Sequence, residues 1–120
     1  MSDPRFDRLA RMASLKVQQR FIVSGTKDHY LLPEEILEDA QAAAARWALS
    51  PDLTARQRTV IQNAAIIFRR EGSRVDLGTG TSHRQLIEDD PSWAAIREAA
   101  GTCLEALGFD LLAWERRELE

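Results

Sequence analysis

Helix-starting signals recur along this chain, and each is followed by apolar residues at three- and four-residue steps. Asp3 precedes Pro4, an N-cap followed by proline at the first helical position. Pro33 is followed by Glu34 and Glu35, where a helix dipole favours negative charge. Thr54-x-x-Gln57 and Ser82-x-x-Gln85 match the capping box, in which side chains satisfy the free N–H groups of a first turn. Asp90-Pro91 repeats the opening pattern. Stop signals sit between them at Gly25, Ser50-Pro51, Gly72 and Gly108.

The stripes agree with this punctuation. Phe6, Leu9, Ala10, Ala13, Val17 and Phe21 predict one long first helix. Ile36, Leu37, Ala40, Ala43, Ala44, Trp47 and Ala48 predict a second, thin enough over Ala42–Ala45 for close approach. Val60, Ile61, Ala64, Ala65, Ile66, Ile67 and Phe68 surround most of a third, which places that helix centrally or at a dimer seam. A short helix follows Ser82. Trp93, Ile96, Ala100, Cys103, Leu104 and Leu107 form the stripe of the next. Segment 109–120 reads as a helix capped by Asp110 or as an edge strand, with helix favoured because no second strand is evident. The expected fold is all-α: a single domain over 1–120, a compact bundle of five or six helices with short connections, and about three quarters helical.

Composition excludes several classes. The longest unbroken apolar run, Ala64–Phe68, cannot span a membrane, and charges occupy the N-terminus where a signal peptide needs an apolar stretch. A cytoplasmic location is the expectation. The single cysteine rules out an intramolecular disulfide and a Cys-rich zinc site. The net charge of -3 is the remainder of alternating blocks. Residues 1–30 and 51–75 each carry +3, while 31–50, 76–90 and 91–120 each carry -3. Opposite blocks packed side by side are the plain reading. The sharper one is a joint basic face of Arg5, Arg8, Arg11, Lys16, Arg20, Arg56, Arg58, Arg69, Arg70 and Arg74, suited to nucleic acid or an acidic protein. Overall acidity favours the plain reading. Arg makes up 14 of the 16 basic residues and Ala numbers 17, a skew that fits GC-rich coding in a bacterium or its phage.

Chemistry-bearing motifs are sparse. Gly78, Thr79, Gly80, Thr81, Ser82, His83 and Arg84 form a glycine-containing turn before a helix start, a candidate anion or ligand site. It lacks the Lys and spacing of a P-loop. His29, His83 and Cys103 are scattered, so no metal or other cofactor is expected and no catalytic residue is assigned. The stretch from Leu53 to Gly72 has the opening look of a helix-turn-helix, but about ten loop residues follow it instead of a tight turn.

Trp47, Phe68, Trp93 and Trp114 continue apolar stripes. They serve either as core or, beside Arg69, Arg70, Arg116 and Arg117, as anchors and charged rim of an interface. The leading functional reading is a small helical interaction module that binds a protein partner or a second copy of itself, in an accessory or regulatory role. A nucleic-acid-binding regulator using basic helices 4–23 and 54–71 is the first alternative. A small enzyme or anion-binding domain centred on 76–84 is the second.

Overall fold

A computed structural model of the chain describes residues 4–24, 32–75, 77 and 82–120, with backbone alone at residues 4 and 5. Seven α-helices run in the order α1 (Pro4–Ala13), α2 (Leu15–Gln18), α3 (Pro33–Ala48), α4 (Ala55–Gly72), α5 (His83–Asp89), α6 (Pro91–Ala106) and α7 (Leu111–Leu119). A π turn, Gln19–Val23, continues α2. No strand occurs among the described residues. The all-α expectation therefore stands, and segment 109–120 is helical.

Most of the predicted punctuation is used as written, but Gly72, expected as a stop, is the last residue of α4 and Ser73 is its cap. Thr54 Oγ1 accepts from Gln57 N while Gln57 Oε1 accepts from Thr54 N, and Ser82 and Gln85 do the same. Asp90 Oδ1 accepts from Ser92 N and Trp93 N. Gly108 takes φ 72°, and Phe109 N donates to Leu104 O while Gly108 N donates to Glu105 O. That is a Schellman stop, which needs the left-handed conformation glycine adopts without cost. The predicted cap at Asp3 and stop at Gly25 lie outside the described residues.

The helix count of five or six is corrected, because the predicted first helix is broken. Its hydrogen-bond ladder runs to Ser14 N on Ala10 O, lapses, and resumes with Gln18 N on Ser14 O. Ser14 Oγ accepts from Val17 N and so starts α2 as an N-cap. Gln18, buried completely, makes good the break: its Nε2 donates to Arg11 O and Met12 O, both at 2.8 Å, and its Oε1 accepts from Trp93 Nε1 at 3.0 Å. A buried amide with every hydrogen bond made is tolerated where a bare one is not.

The core is one cluster of buried apolar residues, centred on Leu9, Met12, Ile61, Phe68, Trp93, Ile96 and Leu104. Extensive packing runs round a ring: α1 on α3, α3 on α4, α4 on α6, α6 on α1. α3 and α4 pack together, with Arg58 reaching Ala48 O and Ser50 O and Gln41 Nε2 reaching Phe68 O. The ring leaves α4 less enclosed than its composition predicts. Ile61, Ala64 and Phe68 face inward, Val60, Ala65 and Ile67 are half-buried, and Ile66 is 54 % exposed. Outside the ring, α2 packs on α7, and the π turn packs on α5.

Candidate interaction surface

The four aromatic anchor candidates are all inside the chain. Phe68, Trp93 and Trp114 are buried essentially completely, and Trp47 nearly so. Trp47 packs on Phe6, which stacks on Phe109 at 4.9 Å between ring centroids. All four are thus packed within the chain, although Phe68 also lines a groove. Their rim residues do: Arg69, Arg70, Arg116 and Arg117 are exposed. Arg70 Nε lies 3.3 Å from Glu71 Oε1, and Arg74 also reaches that carboxylate.

The surface of interest is built by α7. Asp110 accepts from Ala113 N and opens the helix. Trp114 then turns inward, and its Nε1 donates to Asp7 Oδ1 at 3.1 Å. Glu115, also buried, accepts from Ser14 Oγ at 2.6 Å. With Trp114 and Glu115 fixed inward, helical phasing turns Leu112 and Arg116 out. Leu112 is 62 % exposed. Beside it runs a groove of about 380 Å³, lined by Lys16 from α2 and by Leu112, Glu115, Arg116, Leu119 and Glu120. Two leucines and charged side chains of both signs line it.

Two other grooves are present. One of about 310 Å³ lies between α3 and α4, on Gln41, Ala45, Ala65, Phe68 and Arg69. It joins two of the predicted interaction residues, Phe68 and Arg69, to Gln41 and Ala45 of α3. The other, about 490 Å³, lies between the start of α4 and the end of α6, with Arg56 and Glu105 among its walls. It contains none of the interaction or anion-site candidates, although Arg56 belongs to the expected basic face and Thr54 and Gln57 to a capping box. Leu32, Leu49, at 83 % exposure, and Ile66 are exposed aliphatic side chains on or beside α3 and α4.

The anion-site candidate is only partly within view. Gly78, Thr79, Gly80 and Thr81 lie outside the described residues. Ser82 and Arg84 are exposed and His83 is half-buried. Ser82 Oγ is engaged by Gln85 N, so the capping box itself uses the helix start that an anion would need. Among the described residues no group of three or more His, Cys, Asp or Glu side chains converges as a metal site. Cys103 is fully buried, and desolvation pushes its thiol up to about 12.

The ten-residue joint basic face is not assembled. α1 and α4 occupy opposite corners of the ring, with α3 and α6 between them on either side. Arg58 is turned into backbone carbonyls, and the side chain of Arg5 lies outside the description. α3, which carries Glu34, Glu35, Glu38 and Asp39, thus separates the basic helices, as the plain reading of the charge blocks expects.

Leu112 and Ser14 are the residues that sequence reasoning missed. Leu112 becomes legible once 109–120 is phased as a helix with Trp114 inward. Ser14 carries no such signal, since its partner Glu115 lies 101 positions away. Among the described residues, no helix is long and apolar enough to cross a membrane. Comparison of the chain with protein-family models, with curated proteins and with solved structures finds no significant match.

Proposed function

We propose that this chain is a small cytoplasmic helical interaction module, acting by self-association or by binding a protein partner in an accessory or regulatory role. The observation that carries the reading is Leu112, an exposed leucine beside a groove rimmed by Lys16, Arg116 and Glu120. Arg is enriched where proteins meet, and such interfaces bury apolar area inside a polar rim. The nucleic-acid alternative is weakened by the separation of α1 and α4, because phosphate binding needs cations gathered on one side.

Sedimentation velocity across a concentration series tests self-association, and co-purification with tagged chain tests a partner. Leu112→Glu is the control variant, since the position is solvent-facing and its substitution leaves the core alone. A complex that forms with the wild-type chain and is lost in Leu112→Glu is the expected result. A chain that is monomeric at every concentration and retains no partner sinks the proposal.

A further inference from the structure

α7 joins the ring through Gly108, a left-handed stop of one residue. α2 joins it through Ser14, where the backbone ladder lapses. Each of these outer pieces therefore meets the ring through an interrupted segment, and they pack on each other, while the π turn also packs on α5. The bond between them is Ser14 Oγ to Glu115 Oε2, buried and 2.6 Å long. On the far side, Gln18 holds α2 to the end of α1 and to Trp93 of α6.

The break has an alternative. Phe6, Leu9, Ala13 and Val17 stay in helical phase across it. If α2 swings out, the carbonyls of Arg11, Met12 and Ala13 regain the i+4 amides that a continuous helix supplies, in exchange for the bonds of Gln18. The burial of Val17, Ile22 and Trp114 keeps the closed arrangement dominant. From these observations we infer that α2 with the π turn, and α7, are the two leaves of one flap on the four-helix ring, which opens when the leaves part. The Ser14–Glu115 bond clasps the leaves, and the groove at Leu112 exists only while it is shut. Lys16 comes from α2, and the rest of the groove lining comes from α7 or the residue just past it, so parting the two helices dismantles the groove. A partner seated there selects the closed flap. That regulatory meaning rests on the groove being the docking surface; the opening itself does not.

Amide hydrogen exchange on the full-length chain without any partner tests the flap. Glu115→Ala is expected to lower protection in α2, the π turn and α7 together, by about tenfold or more, while α3 and α4 change less than about twofold. Glu115→Gln keeps an acceptor oxygen for Ser14 and is expected to retain most of the protection. Loss confined to α7, loss spread evenly over α3 and α4, or no loss overturns the inference. Should Glu115→Ala fail to fold, wild-type exchange in a urea series gives the same reading. One shared opening for the three segments, below the global one, supports the flap, and separate openings overturn it. Neither readout needs a partner, so failure of the docking proposal and failure of the flap are distinguishable.

Discussion

At the scale of residues, Gln18 holds the most at one point. From the start of the π turn it joins the end of α1 to the side of α6 through three side-chain hydrogen bonds. Gln18→Leu leaves two carbonyls and an indole N–H without it in a dry site, and is expected to cost about 3 kcal/mol by chemical denaturation. Glu71 gives a pH prediction. A hydrogen bond from Ser92 first, and the nearby Arg70 and Arg74 guanidiniums after it, hold its carboxyl below the ordinary 4.5. A carboxyl lowered in the folded chain contributes stability above its unfolded pKa and loses it as pH falls through the folded value. The stability difference between wild type and Glu71→Gln is therefore expected to shrink below about pH 4.5, read from paired denaturation curves. Cys103 behaves oppositely to a reactive thiol. With its pKa pushed to about 12 and no exposure, it is expected to resist thiol reagents at pH 8 and to react on unfolding.

At the scale of elements, the helices are finished by one another. Arg58 of α4 serves the end of α3, and Gln57 of α4 serves Ala106 O at the end of α6. Arg97 of α6 serves Ile87 O in α5, and burial there lowers its pKa. The last carbonyls of a helix have no partner within it, so a long side chain from a packed neighbour both satisfies them and fixes the pairing. Arg58→Ala is expected to destabilise the fold by about 1–2 kcal/mol, and Gly108→Ala by about 1 kcal/mol through its positive φ, each checked by thermal unfolding. Helix starts were legible from sequence because their signals are local: Thr54 with Gln57, Ser82 with Gln85, Asp90 with Pro91. The Schellman stop at Gly108 was legible for the same reason. The α1–α2 break was not, because a serine within an apolar stripe is ordinary until Glu115 and Trp93 arrive from elsewhere in the chain. The Leu112 surface shared that limit. Its exposure follows from Trp114 finding Asp7, a contact 107 residues apart in sequence.

At the scale of the whole molecule, the ring determines how charge is presented. Basic α1 and α4 stand at opposite corners, and acidic α3 adjoins both. No broad field of one sign results on the described helices, and the net charge is -3. Generic duplex DNA is therefore expected to show no salt-dependent shift at low ionic strength, where phosphate attraction is strongest. The molecule is also thin, 18 Å through its shortest axis, about two packed helices. Helices in so thin a body keep an outward side, which is why Ile66 of α4 reaches solvent although its neighbours Ile61 and Phe68 do not.

The three indoles of the chain are all enclosed, one each in α3, α6 and α7. They turn the molecule into its own optical instrument. Trp93 reports on the ring beside a neutral amide, while Trp114 reports on the terminal helix beside a carboxylate. Trp114→Phe subtracts that emitter and leaves Trp47 and Trp93. A red shift in intrinsic emission that disappears with that substitution thus times the movement of α7 alone, in a stopped-flow cell and without any attached dye.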